Sequence, residues 1–295
     1  MNLFNYPNVK IDKKIRLIEL FAGIGSQAMA LRDIGADFEH HRVVEFDKYA
    51  VKAYNAIHGT IFEPTDICTV HGADLGITDK DKYSYVMTYS FPCQDLSVAG
   101  KQRGMTKGSG TRSGLLWEVE RILKELSADQ LPDILLMENV PQVHAEANKP
   151  DFDSWVEFLR SKGYVNHWQD LNARDYGVPQ NRERCFMVSI LSPEFVEYEF
   201  PKPIELKEAM KNRLEHDVDD KYYINSDKAR ELIDRLLRDG LLEKTGGGSE
   251  TVDLTVNNPK PISVANCLRA HLAKDVNTIF NRCQEGNGVL EWKSE

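Results

Sequence analysis

Apolar and polar positions in the first two hundred residues follow two alternating periods. Short apolar runs of strand length lie at 15–20, 85–89 and 134–137, and 41–47, around Val43 and Val44, reads as a further strand ending in acidic residues. Between them, apolar residues recur at helical spacing. Ala28, Met29 and Leu31 form one such stripe, and residues 48–57 and 152–162 form others. The clearest is Leu115, Leu116, Val119, Ile122, Leu123 and Leu126. Glycines at 35, 59 and 163 supply helix stops, and Ser26 and Asp47 are placed to cap helices. A third short strand is expected at 60–62, and a further one at 164–171. Strands alternating with helices predict an α/β fold, a doubly wound and mostly parallel sheet. Near Phe200 the alternation lapses at Pro201-Lys202-Pro203. Beyond it, one amphipathic helix is expected at 227–237 and strands at 252–256 and 262–268. The expected organisation is a larger α/β domain at 1–200 and a smaller domain at 201–295.

Composition narrows this little. Of 295 residues 41% are hydrophobic and 28% charged, which is ordinary for a globular chain. No apolar run approaches the roughly 20 residues that span a bilayer. The N-terminal residues lack the pattern of a secretory signal. The formal charge of −9 speaks against a simple basic nucleic-acid module, while leaving room for a local basic surface. Five scattered cysteines with no C-x-x-C pair point to a reducing, cytoplasmic location, with neither a disulfide framework nor a zinc site. The eight histidines form no H-E-x-x-H pair, so no metal is expected.

Candidate chemistry sits at the ends of the apolar runs. The first runs into Phe21-Ala22-Gly23-Ile24-Gly25, a glycine turn that lets backbone approach a ligand at a helix N-terminus. Twenty positions after Gly25 stands Glu45, placed for ribose hydroxyls, with Phe46 beside it for an adenine ring. Asp66 is placed to accept from an adenine amino group. Each also reads as a connecting turn or a cap. Cys93 follows Pro92 past the run 85–89, as a nucleophile or as a core cysteine. The segment 101–112 carries Lys101, Arg103, Lys107 and Arg112 among four glycines counting Gly100, and no acid. It reads as a flexible loop closing over phosphates or as a solvated one. Glu138 and Asn139 end an apolar strand, where burial is expected to raise a carboxyl pKa toward general-acid use. Arg182 and Arg184 alternate along an extended stretch, as two anion-binding forks or as a surface ion-pairing set.

Taken in order, these pieces resemble the cytosine-5 DNA methyltransferases of bacterial and phage modification systems. The matching elements are Phe-Ala-Gly-Ile-Gly from Phe21, Glu45-Phe46-Asp47, Thr65-Asp66-Ile67, Ser90-Phe91-Pro92-Cys93-Gln94, Glu138-Asn139-Val140 and Gln180-Asn181-Arg182-Glu183-Arg184. They cover roughly residues 15–190, and as an ordered set they are specific. The resemblance implies the sheet of S-adenosylmethionine-dependent methyltransferases and a bacterial or phage-infected cell as setting. It implies duplex DNA as partner and S-adenosyl-L-methionine as methyl donor, with no metal. Cys93 would attack C6 of a flipped cytosine, and Glu138 would protonate N3. Asn139 would position Glu138 or the substrate, Arg184 would bind O2, and Arg182 would favour the thiolate. Phe21, Gly23, Gly25, Glu45, Phe46, Asp66 and Pro92 would form the cofactor pocket.

The resemblance also implies two further elements after a variable target-recognition domain. No counterpart to the first is present. Gly286-Asn287-Gly288-Val289 resembles the second only superficially and reads as recognition-domain sequence. The expectation is an incomplete recognition domain, from a truncation, a degenerate copy, or a split enzyme completed by a second polypeptide. The alternative functions are a catalytically impaired DNA-binding remnant and a tRNA cytosine-5 methyltransferase. A nicotinamide-dependent oxidoreductase is disfavoured by the missing third glycine of the dinucleotide fingerprint.

Overall fold

The computed structural model describes residues 11–96, 104–213, 227–240, 248–253, 260–261, 265–266 and 287–292. The chain divides into two compact units. One comprises Met1–Leu171 and Arg184–Pro201, the other Asn172–Glu183 and Lys202–Glu295.

The first unit is built on a six-stranded sheet. Its strands are β1 (Lys14–Leu20), β2 (Phe38–Val44), β3 (Tyr83–Tyr89), β4 (Ile134–Asn139), β5 (Tyr164–Asn172) and β7 (Glu183–Leu191), while β6 (Gln180–Asn181) lies outside it. The order across the sheet is β2-β1-β3-β4-β7-β5. β1 runs parallel to both β2 and β3, β3 is parallel to β4, and β7 is antiparallel to β4. After β1 the chain steps one way to β2, then returns to place β3 on β1's other side. The reversal between β1 and β3 opens a crevice at their carboxyl ends, the usual ligand position in such sheets.

Period-2 alternation assigns neighbouring residues to opposite faces. Leu17 and Ile18, both fully buried, belong to different core clusters. Leu17 packs with Ala28 and Leu31 of helix α1 (Ser26–Asp33). Ile18 joins the larger cluster, with Val119, Ile122 and Leu123 of α3 (Leu116–Glu125) and Trp155 and Leu159 of α4 (Lys149–Ser161). Helix α2 (Lys48–His58) is capped as expected: the Asp47 carboxylate accepts from the Tyr49 and Ala50 backbone.

Three local expectations change. Ser26 does not cap α1; Gly25 is the N-cap in left-handed conformation, and the Ser26 hydroxyl donates to Gln27 instead. No strand forms at 60–62, where Asn55 takes up the backbone partners: its side chain accepts from Phe62 N at 2.9 Å and donates to Phe62 O at 2.8 Å. The basic segment 101–112 is described only from residue 104. There Met105 is fully buried and accepts from Trp117 Nε1 at 2.6 Å. Lys107 pairs with Glu120 and lies over the Trp117 ring, so this part is packed onto α3, with Lys107 engaged there. Lys101 and Arg103 lie outside the described residues.

Helix packing buries an acid inside β1. Glu19 in β1 is fully buried; Tyr54 Oη donates to its Oε2 at 2.5 Å, and its Oε1 has no hydrogen-bond partner. Tyr54 in turn meets His40 Nδ1 at 2.6 Å. Burial pushes the Glu19 carboxyl up to about 7, against the opposing pull of the Tyr54 hydrogen bond. Its contribution to stability is therefore present below the unfolded value of about 4.5 and is lost as pH rises to about 7. Across that window the loss is about 3 kcal/mol. His40 acts oppositely: burial and then the nearby His58 lower its pKa, so its contribution is lost as pH falls. Urea unfolding at pH 5 and pH 8 should show Glu19→Gln gaining stability relative to the parent at pH 8 but not at pH 5. An equal difference at both pH values would refute the assignment.

The second unit holds the turn Asn172–Glu183 with β6. Asn172 Oδ1 caps the 3-10 turn Ala173–Tyr176, and Asp175 O accepts from Ile204 N at 2.8 Å. It also holds helix α5 (Asp227–Arg238) and strands β8 (Gly248–Asp253), β9 (Lys260–Pro261), β10 (Ala265–Asn266) and β11 (Asn287–Trp292). β8 pairs antiparallel with β9 and β11, and β10 pairs parallel with β6. Asn287, Gly288 and Val289 thus lie in a strand. Residues 254–256, 262–264, 267–268 and 286 of the expected strands and motif lie outside the described residues.

Candidate active site

Two crevice walls come from the ends of β1 and β3. After Leu20 the chain enters positive φ at Phe21 (58°), Gly23 (56°) and Gly25 (81°). Glu45 holds this turn: its Oε2 accepts from Gly23 N and its Oε1 from Asp47 N, each at 2.8 Å. Gly25 is required on two grounds. A Cβ there would lie 2.4 Å from His58 Nε2 and 2.6 Å from Tyr54 Cε2, whereas a Cβ at Gly23 would meet nothing within 4 Å. Gly25→Ala is expected to cost about 2–4 kcal/mol, from left-handed backbone strain plus overpacking against the buried Tyr54 ring. Gly23→Ala carries only the backbone part, about 1 kcal/mol. Equal denaturation midpoints for the two variants would contradict this.

Beside the turn, Phe46 is 75% exposed. Asp66 is exposed and caps a 3-10 turn, accepting from Cys68 N at 2.9 Å. The cap reading thus holds for it. Gln27 Nε2 donates to Ser90 Oγ at 3.1 Å, joining helix α1 to the loop beyond β3.

That loop carries Pro92 and Cys93, both partly buried, with Cys93 packed against the main core cluster. It is braced on two sides. Asn139, 2% exposed at the end of β4, donates from Nδ2 to Phe91 O at 3.0 Å and accepts from Val140 N at 2.8 Å. Its Nδ2 hydrogen bond therefore goes to the cysteine loop. On the other side Ser113, fully buried, donates to Pro92 O at 2.6 Å and accepts from Asp95 N at 3.3 Å. Asp95 Oδ2 accepts from Arg112 N at 2.9 Å, and Arg112 Nη1 donates to Gln94 Oε1 at 2.8 Å. Ser113 and Asp95 were missed in the sequence. The available signal was a Thr-Arg-Ser-Gly run ahead of a helix, a turn-forming composition that needed a partner to be read.

Next to Asn139, Glu138 meets Arg184: Nε stands 3.0 Å from Oε1, with both side chains about a fifth exposed. The β4–β7 ladder sets this up, pairing Glu138 with Phe186 and Asn139 with Cys185. The strand end thus offers Glu138 a guanidinium partner and some solvent contact, where the apolar strand led to the expectation of burial. Arg182 belongs to the second unit. Its backbone N donates to Asn172 Oδ1 at 3.1 Å and its carbonyl accepts from Ala173 N at 2.9 Å. Among the described residues no helix is long and apolar enough to cross a membrane.

Comparison with known proteins bears on this arrangement. The family model of C-5 cytosine-specific DNA methylases matches residues 15–257. The type II methyltransferase M2.ScrFI of Lactococcus lactis subsp. cremoris is 33% identical over 261 residues, covering 72% of this chain and 71% of its own. The orphan methyltransferase M.SssI of Spiroplasma monobiae is 34% identical over 266 residues, covering 72% of this chain and 68% of its own. In fold, the chain is similar to the Dnmt2 methyltransferase of S. pombe. The TM-score is 0.57 at 21% identity, with 76% of this chain and 66% of that one covered. The ordered motifs, the sheet and the extent of these matches agree, and the chain belongs to the C-5 cytosine-specific DNA methylases.

Proposed function

We propose that this chain methylates C5 of cytosine in duplex DNA through a covalent bond from Cys93 to a base turned out of the helix. One observation carries the reading: Asn139 ties the end of β4 to the Cys93 loop while its neighbour Glu138 pairs with Arg184. A nucleophile-bearing loop, a carboxyl and a guanidinium from distant sequence positions are thereby held around the carboxyl end of β4.

The chemistry assigned to each follows. Cytosine C6 is a poor electrophile until N3 is protonated. Cys93, as thiolate, forms the S–C6 bond while Glu138 delivers a proton to N3, so the attack builds no full negative charge on the ring. Arg184 binds O2 and sets the ring plane relative to Glu138. Arg182 keeps the role that the resemblance gives it, support of the thiolate. Asn139 acts through Phe91 as a positioning residue. After C5 has taken the methyl group, water accepts the C5 proton and the S–C6 bond breaks to return Cys93 as thiolate. N3 gives its proton back to Glu138 as the aromatic ring is restored. Extrusion of the base costs a few kcal/mol, supplied by contacts to the flipped ring and flanking strand.

The turn at β1 fits the methyl donor. Its positive-φ backbone leaves open space above Gly23, Glu45 retains lone pairs for ribose hydroxyls, and the exposed Phe46 offers a ring face. Asp66 and Pro92 complete the set, with Phe21 and Gly25 shaping the turn. When bound, S-adenosyl-L-methionine supplies a methyl group made electrophilic by its sulfonium sulfur. The second unit, from Lys202 onward, is assigned target recognition.

The test is methyl transfer from labelled S-adenosylmethionine to genomic duplex DNA from a host lacking cytosine methylation. A parallel arm seeks a covalent adduct with DNA containing 5-fluorocytosine, and a third offers tRNA. Label at cytosine C5 in DNA together with a trapped adduct is expected. Transfer to tRNA alone, or none to either, would overturn the proposal.

A further inference from the structure

We propose that His144, Asp170 and Cys185 form a site for one thiophilic divalent cation of the zinc class, separate from the methyl-transfer residues. The three come from three elements: the 3-10 turn after β4, strand β5 and strand β7. They offer one nitrogen, one oxygen and one sulfur, all within 4.8 Å of one another. His144 Nε2 stands 3.0 Å from both Asp170 oxygens. Tetrahedral zinc, with bonds of about 2.0–2.3 Å, separates its ligand atoms by about 3.4–3.7 Å, a small side-chain adjustment from this arrangement. The donor types select among ions: a thiol with an imidazole and one carboxylate suits zinc and its neighbours and is poor for magnesium or calcium.

Burial is graded as such a site needs. Cys185 is fully buried and held by the β4–β7 ladder opposite Asn139, so the sheet fixes the sulfur. The His144 and Asp170 side chains are 32% and 29% exposed, so both reach solvent. Without a cation the group forms a hydrogen-bonded triad. Burial first, then Asp170, pushes the Cys185 thiol up to about 12. The cation would replace that thiol proton, forming a metal–sulfur bond and releasing one proton to solvent. It would cross-link three elements close to the end of β4 that presents Glu138 and Asn139.

Cobalt(II) reads the site directly. Full-length Cys93→Ala protein, stripped with a chelator, is titrated with Co2+, so that the proposed nucleophile cannot contribute a thiolate. Saturation at one equivalent is expected, with a thiolate-to-cobalt charge-transfer band and tetrahedral-intensity visible bands, both reversed by Zn2+. Adding His144→Gln or Asp170→Asn, at the more exposed ligands, should each weaken binding about tenfold or more. Cys185→Ser, if its melting shows a folded protein, should abolish the charge-transfer band. No such band, a band that survives Cys185→Ser, or affinity unchanged in both exposed-ligand variants would show a hydrogen-bonded triad only and overturn the proposal.

Discussion

Cys93→Ala protein should fold as the parent does and transfer methyl groups at least ~10^4-fold more slowly. Removing the thiol removes the only group proposed to bond C6, and without that bond C5 is not nucleophilic. In free-energy terms the loss is about 5.5 kcal/mol or more of transition-state stabilisation. Stability should change little. Cys93 is only partly buried, and its loop is held by Asn139 to Phe91 and by Ser113 to Pro92, contacts that the substitution leaves in place. Single-turnover transfer, adduct trapping with 5-fluorocytosine and thermal melting check this together. A variant that melts normally yet still methylates within tenfold of the parent would remove Cys93 from the reaction.

Glu138→Gln should lower the single-turnover rate by roughly 10^2–10^3, the range expected when a general acid is lost. Glutamine keeps the shape and a carbonyl oxygen that Arg184 Nε can use, but it has no proton to deliver to N3. Because both side chains remain about a fifth exposed, the cost in stability should be near 1 kcal/mol and below that of a sealed pair. The distinguishing measurement is the 5-fluorocytosine adduct, which should still form through Cys93 but more slowly in proportion to the rate. A Glu138→Gln protein with parental turnover would exclude the carboxyl as proton donor.

Several features were legible from residue order alone because they depend on short-range rules. Asp47 caps α2 through its own side chain and the next turn's backbone, a contact decided within three residues. The stripe from Leu116 to Leu123 becomes the buried face of α3, since helical spacing alone puts those residues on one side. The strand runs 15–20, 85–89 and 134–137 all become sheet, being too apolar to lie anywhere but under helices. Ser26 failed as a cap because Gly25, which alone tolerates the required left-handed backbone against Tyr54, takes that place. The strand expected at 60–62 failed because Asn55, five residues before it, satisfies the same backbone groups.

The sequence by itself determined which residues match the family's motifs and in what order, since the motifs are contiguous runs with fixed neighbours. It also determined the α/β class, which follows from the two hydrophobic periods. Tertiary structure alone decided who meets whom. That Asn139 reaches Phe91, that Ser113 reaches Pro92, and that Glu138 faces Arg184 are outcomes of strand order and register. So is the burial of Glu19 against Tyr54, and so is the gathering of His144, Asp170 and Cys185, which lie far apart along the chain. A one-residue slip in the β4–β7 register would send every side chain on β7 to the opposite face. Contacts of that kind are set by packing across the sheet, and no local pattern in the chain encodes them.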